Sequence, residues 1–322
     1  MKCVLLVAAA VASAAAAPDG CVSCHRAETA HFAASGMTRA LMPAAQSEVL
    51  RENPELSAQI GPYSYRVSRQ TLSVSDGKET VRVPIEWAFG QGSVGQTFLF
   101  RRDGQWHESR VSYYATLKKL DITMGAQNFT PRNLAEAAGR AIDPVEAARC
   151  FDCHATGVIK SPALNLASMR AGIQCERCHG SAESHVSNLN PMRKLGTAST
   201  EDMSEFCGQC HRTWSQVASN GPRGIQNVRF QPYRLAISKC YDAADARIRC
   251  TTCHDSHREL EASAAAYDAK CTACHSGTQR VCKVASKDCV TCHMPRLELP
   301  GAHRAFTDHK IRVVKPGEAY PD

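Results

Sequence analysis

Aromatic residues are scarce in this chain: Phe, Trp and Tyr make up 6% of 322 residues, and only 3 are tryptophan. Large flat side chains supply much of the apolar surface of ordinary cores, so a molecule of this length must find such surface elsewhere. After residue 17 no apolar run approaches the ~20 residues that a membrane-crossing helix needs, so no transmembrane segment is expected. Long basic runs are missing too, and none exceeds Arg101-Arg102 or Lys118-Lys119. The formal charge of +7 therefore has no concentrated stripe behind it, and nucleic acid is not an expected partner.

Cysteine, by contrast, is abundant, with 17 residues. Most fall into one pattern repeated seven times: CVSCH (21–25), CFDCH (150–154), CERCH (175–179), CGQCH (207–211), CTTCH (250–254), CTACH (271–275) and CVTCH (289–293). Two thiols three positions apart can add to the two vinyl groups of one porphyrin, while the adjoining histidine reaches the iron. Zinc ribbons and thiol redox proteins also use Cys-x-x-Cys, yet they do not require histidine after every copy. The pattern predicts seven covalently attached haems c, held through Cys21, Cys24, Cys150, Cys153, Cys175, Cys178, Cys207, Cys210, Cys250, Cys253, Cys271, Cys274, Cys289 and Cys292. His25, His154, His179, His211, His254, His275 and His293 are then the first iron ligands. Ionised haem propionates would offset the formal positive charge.

Residues 1–17 read as a secretory signal peptide, with Lys2, an apolar run from Val4 to Val11 and small residues at Ala15, Ala16 and Ala17. The mature protein is thus expected in the periplasm or outside the cell. Cys3 would leave with the leader, so Cys240 and Cys282 remain, and in an oxidising compartment they are expected to be bridged.

Residues 26–42 predict a helix closed by Pro43. From Tyr63 to Tyr114 the pattern turns to period-two alternation broken by SDGK (75–78) and RDGQ (102–105), the signature of antiparallel hairpins. Residues 134–149 return to helix, with Asp143-Pro144 as cap and first-turn proline. The expected organisation is a leader (1–17), a first haem-binding helical segment (18–58), an antiparallel β module (59–125) and a hexahaem domain (126–322). From Cys150 onward the motifs crowd too closely for each haem to own a separate core, so the porphyrins must form much of the interior. The fold class expected is α+β with much irregular structure: a haem-packed core of short helices and loops, plus the β module.

A second strong axial ligand closes a haem for electron transfer, whereas a missing one leaves room for substrate. Outside the motifs lie His31, His107, His185, His257, His303 and His309, too few for seven irons. His185 and His257 sit just after motifs, and His303 and His309 flank a tail segment; all four are expected as distal ligands. His31, on the helix after the first motif, is a further candidate. His107 is expected to be an exposed structural residue of the β module.

The segments HFAASGMTRAL, CERCHGSAESHV, CTTCHDSH and DCVTCHMPRLELPGAHRAFTDHKI resemble the multihaem cytochrome c family that includes the tetrahaem electron carrier of ammonia oxidisers. The resemblance spans most of the sequence after the leader. Many relatives carry Trp-x-x-Ser-x-His after the first motif, its histidine being a distal ligand; here the corresponding run is Phe32-Ala33-Ala34-Ser35-Gly36-Met37. Met37 thus becomes a candidate ligand, and thioether sulfur would raise the potential of its haem; as a helix residue it would simply pack.

Two classes of function follow. The first is a heptahaem electron-transfer protein with redox partner proteins. The second is a multihaem oxidoreductase acting on a small nitrogen or sulfur compound at a five-coordinate haem, although the Cys-x-x-Cys-Lys motif of ammonia-forming nitrite reductases is missing. Self-assembly into filaments, with a histidine of one copy completing a haem of the next, is a third arrangement. The mass of the purified protein should exceed that of the apo chain by seven haem groups, unchanged by denaturation; a stable mass with four or fewer would contradict the motif reading.

Overall fold

Local side-chain chemistry cuts the first expected helix short. In the computed structural model, which describes residues 19–159, 164–276 and 282–321, α1 (Asp19–Cys24) and α2 (Arg26–Ala33) meet at His25. The leader and Cys3 lie outside the described residues. Thr38 then turns the chain, its hydroxyl donating to the carbonyls of Ser35 at 2.8 Å and Ala33 at 3.2 Å; such bonds offer the backbone an alternative to helix. Residues 41–43 are strand β1 (Leu41–Pro43), not helix, because Leu41 pairs with Phe89 across a sheet. Ser47 caps α3 (Glu48–Glu52) by accepting from the Leu50 amide at 3.1 Å.

The alternating segment folds as expected. Strands β2 (Glu55–Ile60), β3 (Tyr63–Ser68), β4 (Thr71–Ser75) and β5 (Thr80–Pro84) form one antiparallel sheet. Strands β6 (Trp87–Phe89), β7 (Gly95–Arg102), β8 (Gln105–Tyr114) and β9 (Lys119–Ile122) belong to a second sheet, which also includes β1. The Asp-Gly signals act as predicted. At 103–104 both residues have positive φ, 53° and 77°, as a two-residue hairpin turn of the β7–β8 pair requires. In the β4–β5 hairpin, Asp76 Oδ1 accepts from the amides of Lys78 and Glu79.

The sheets pack face to face. Leu56, Tyr65, Val67, Leu72 and Val74 of the first meet Phe98, Phe100, Val111 and Leu120 of the second. Helix α4 (Leu134–Ala138) adds Leu134, Ala137 and Ala138 to the same core, and β10 (Gly139–Ala141) pairs with β8. The sheets therefore draw strands from outside residues 59–125 on both sides. His107 is not exposed as expected. It is 4% accessible, because β10 covers its strand and its ring stacks on Phe100 at 5.3 Å.

The outer face of the second sheet positions the first motif of the C-terminal half. Asp143 caps α5 (Pro144–His154) by accepting from the Val145 and Glu146 amides, both at 2.8 Å, with Pro144 in the first turn. This helix lays Ala147 and Phe151 against Leu41, Phe89 and Leu99. Arg140 clamps β8 to α5 through Glu108 and Glu146, at 2.7 and 2.6 Å. The resulting layers are sheet, sheet and motif helix.

Beyond α5, strands β11 (Ala155–Thr156) and β12 (Arg170–Ala171) pair. Short helices then dominate: α6 (Cys175–His179), α7 (Glu183–Asn188), α8 (Thr200–His211), α9 (Trp214–Asn220), α10 (Gln231–Ala236), α11 (Cys250–Cys253), α12 (Ala264–His275) and α13 (Cys289–His293). A hairpin of β13 (Arg296–Leu299) and β14 (Arg304–Thr307) precedes the tail. The architecture is α+β with much irregular chain. Phe151 joins its two halves: it is fully buried and touches Trp87, Phe89 and Trp106 at centroid distances of 5.9, 5.4 and 5.5 Å. Phe151→Ala should destabilise the fold by about 3–5 kcal/mol, seen as a lower urea midpoint; an unshifted midpoint would mean that α5 does not depend on this contact.

Candidate haem-binding sites

All seven motifs occupy a helical turn or its end. Residues at i, i+3 and i+4 lie on one face of such a turn, so each motif turns both thiols and its histidine to the same side. At the motif ends His25 N donates to Cys21 O at 2.8 Å and His254 N to Cys250 O at 2.9 Å.

Six of the motifs meet in their order in sequence, and CFDCH alone is displaced from it. The thiols of Cys21 and Cys175 come within hydrogen-bonding reach, as do those of Cys153 and Cys210, Cys207 and Cys250, and Cys271 and Cys289. Cys178 also lies close enough to Cys210, and Cys253 to Cys271, for their charges to interact. The series runs CVSCH, CERCH, CGQCH, CTTCH, CTACH, CVTCH, with CFDCH joining at CGQCH. These thiols stand in for thioether sulfurs once porphyrin is attached. Their contacts then matter as positions, since a thioether does not titrate.

Five histidines are oriented by the same device. His154 Nδ1 donates to Ala40 O at 2.9 Å, His179 to Arg193 O at 3.1 Å, His185 to Asn190 O at 2.7 Å, His293 to Arg312 O at 2.8 Å and His309 to Thr307 O at 3.0 Å. A carbonyl oxygen carries no proton, so Nδ1 must carry it, and Nε2 is left with a free lone pair of the kind metals bind. Desolvation lowers the pKa of His154, His254 and His309, the last to about 4. A ligating imidazole must be neutral, and burial keeps these so.

Three pairs of rings join a motif histidine to one outside the motifs: His25 with His185 at 6.3 Å, His179 with His257 at 6.0 Å and His254 with His309 at 6.2 Å between centroids. Two imidazoles on opposite faces of one metal, each nitrogen roughly 2 Å from it and each ring centre about 1 Å further out, have centroids about 6 Å apart. Ordinary ring packing covers the same range, so the weight lies in the pairing: every one of the three unites a motif histidine with a residue selected as a distal candidate. The donor chemistry and the spacing both fit haem.

The remaining candidates are placed differently. His303 turns Nε2 to Asp121 Oδ2 at 3.0 Å and packs on Tyr114 at 4.7 Å, away from the distal position expected for it. At His107, Nδ1 donates to Gln105 O at 3.0 Å and Nε2 lies 3.2 Å from Arg102 Nη2, so both nitrogens are occupied. His31 is exposed on α2 and has no ring contact with a motif histidine among the described residues. Met37 O accepts from Ala40 N and Ile173 N, in a turn packed so closely on Gly172 (φ +71°) that a Cβ there would strike Thr38 O. The Ala40 carbonyl of the same turn accepts from His154 Nδ1.

The expected Cys240–Cys282 bridge is not formed. Cys240 lies beside Ser238 and near Cys253 and Cys271, whereas Cys282 is exposed and accepts from the amides of Ala285 and Val284, which lower its pKa. The orienting carbonyls of Ala40, Arg193, Asn190, Arg312 and Thr307 were invisible in the sequence, because any residue can supply a carbonyl.

Residues 105–180 match the sequence model of the family described as cytochrome c554 and c-prime. The multiheme cytochrome MtrA of Shewanella baltica (strain OS185) is 29% identical over 158 residues, 45% of this chain and 40% of that protein. The crystal structure of the outer cell wall cytochrome OcwA superposes with a TM-score of 0.56 at 14% identity, covering 93% of this chain and 80% of the other. In sequence and fold the chain is similar to multihaem c-type cytochromes. An undecaheme cytochrome from the S-layer of Carboxydothermus ferrireducens gives a TM-score of 0.47 at 16% identity, over 94% of this chain and 52% of that one. Haem c is the cofactor that these likenesses support, and the chain spans 40% of the length of the curated relative it matches. Among the described residues no helix is long and apolar enough to cross a membrane.

His107→Ala and His303→Ala should each leave the low-spin haem signals of the oxidised cytochrome unchanged in electron paramagnetic resonance. Loss of a signal in either variant would show that its Nε2 leaves the partner described here to bind iron.

Proposed function

We propose that this cytochrome carries electrons between redox partner proteins outside the cytoplasm, through seven haems c attached at the seven motifs. Each haem c supplies an Fe(III)/Fe(II) couple whose potential follows its axial ligands, hydrogen bonds and burial. The observation that carries the reading is the series of neighbouring motifs, in which Cys21 approaches Cys175, Cys207 approaches Cys250 and Cys271 approaches Cys289, with Cys178 near Cys210 and Cys253 near Cys271 between them. A pocket enzyme needs one reactive centre; this chain spends its short helices on holding attachment points side by side.

In this reading His185, His257 and His309 are the distal ligands opposite His25, His179 and His254. Their imidazoles are aimed by backbone carbonyls or, for His257, lie parallel to the motif ring within 8°. His303 falls outside the set because Asp121 engages its Nε2, and Met37 stays a candidate for a haem without a distal histidine. His31 remains the spare imidazole nearest the first motif. Signal-directed export and self-assembly belong to the same proposal, with the hexahaem part starting after β10 rather than near residue 126.

One observation favours a second reading beside the first. With both nitrogens of His107 occupied and His303 engaged by Asp121, the four histidines left outside the motifs are too few by three to complete seven irons. An incompletely ligated haem could bind a small nitrogen or sulfur oxyanion, or take a side chain from another copy. Redox titration followed by electron paramagnetic resonance tests both readings. Electron carriage predicts reversible uptake of one electron per haem, loss of one low-spin signal in each of His185→Ala and His257→Ala, and no response to nitrite, hydroxylamine or sulfite. A high-spin signal that shifts on adding one of these would overturn simple carriage in favour of the enzyme.

A further inference from the structure

The tail bears a buried ion cluster that the electron-carrier reading leaves unused. Arg234, on α10, is fully buried and grips Asp308 with two parallel bonds, Nε to Oδ1 at 2.9 Å and Nη2 to Oδ2 at 3.0 Å. Its Nη1 donates to Asn227 Oδ1 at 3.2 Å and to Pro321 O at 2.7 Å, and its guanidinium lies 4.5 Å over the Tyr320 ring. Asp308, equally buried, also accepts from Arg312 Nη1 at 2.7 Å and from the Lys310 amide at 3.0 Å. Arg312 in turn donates Nε to Glu318 Oε1 at 2.8 Å.

Stability alone explains this cluster poorly. Desolvating an arginine and a carboxylate cancels most of their attraction, and well-packed apolar residues often serve as well or better. What a forked Arg–Asp pair gives is fixed geometry. The segment it fixes carries two points of contact with the motifs. His309 adjoins Asp308 and stands 6.2 Å from His254; the Arg312 carbonyl accepts from His293 Nδ1 at 2.8 Å, and the Arg312 amide lies 3.3 Å from His293 O. A further backbone bond, Lys239 N to Ile311 O at 3.2 Å, ties the same segment to the turn that follows α10.

We infer that Arg234, Asp308 and Arg312 are positioning residues that set one axial ligand on each of two haems, His309 for the CTTCH site and His293 for the CVTCH site, bypassing the CTACH motif between them. The inference rests on the ligand assignment proposed above. A distortion of the cluster reaches two irons at once, because one five-residue segment holds both imidazoles by short bonds.

Electron paramagnetic resonance and redox titration of the intact, haem-loaded chain test the inference and separate it from the assignment beneath it. His309→Ala should lose one low-spin haem, and added imidazole should restore it. Asp308→Asn, nearly isosteric, should show the same loss and the same rescue by imidazole, and should also shift the potential of a second haem that His309→Ala leaves alone. Arg312→Lys should move that second potential without loss of the first low-spin signal. Asp308→Glu, which keeps the charge but displaces it, serves should the asparagine variant fail to accumulate, and should reproduce its spectrum. If His309→Ala loses a low-spin haem while the Asp308 and Arg312 variants match the wild type, the positioning role is overturned and the assignment survives. If His309→Ala itself changes nothing, the assignment fails and takes the inference with it.

Discussion

A free Nε2 opposite an occupied Nδ1 is the interaction on which the arrangement depends. An imidazole with both nitrogens at liberty can flip, take up a proton or bind through either atom. Binding Nδ1–H to a carbonyl removes those choices. His154, His179, His185, His293 and His309 all do this, and each carbonyl comes from a segment distant from the helix turn that carries the motif or from a tight local turn. His107 shows the contrast: its Nδ1 is bound in the same way, but Arg102 occupies Nε2 and the ring becomes part of a protein core.

The β sandwich has a mechanical part in this. Its second sheet is covered on one face by the first sheet and on the other by α5, so Phe98 and Phe100 enter one core while Leu99, between them, enters the next. A helix braced by Phe151, Ala147 and the Arg140 clamp cannot slide without breaking aromatic contacts and an ion pair together. The CFDCH motif at its end is thereby fixed relative to the sheets, and the Ala40 carbonyl that orients His154 comes from the loop leading into β1, an edge strand of the same sheet.

Much of this was legible in the residues themselves. The seven motifs, the alternation between Tyr63 and Tyr114, the Asp-Gly turns and the Asp143-Pro144 cap are local signals, and local signals survive the lack of tertiary information. What could not be read depends on distant pairing. The helix expected through residue 42 yields at Ser35 and Thr38 and then to a partner strand nearly fifty positions away. The meeting of Cys21 with Cys175, and of His25 with His185, has no trace in spacing. His303 and His309 look alike in the sequence, yet Asp121 engages one and the neighbourhood of His254 receives the other. Counting spare cysteines suggested a bridge, but Cys240 and Cys282 face different surroundings.

The uneven distribution of apolar burial bears on how the protein is made. The sandwich and α5 contain most of the buried hydrophobic side chains, whereas from Cys175 to His293 the described residues bury Ala182, Met203, Val217, Val228 and Tyr233, and α12 and α13 bury none. A chain so divided has two maturation regimes. The N-terminal half holds enough hydrophobic surface to collapse on its own. The C-terminal half gains its driving force only as porphyrins are ligated to it, since cofactor binding and folding then share one free energy. Its motif thiols thus sit on short helices with few buried apolar side chains of their own, so that a bound porphyrin would serve them as core and cofactor at once.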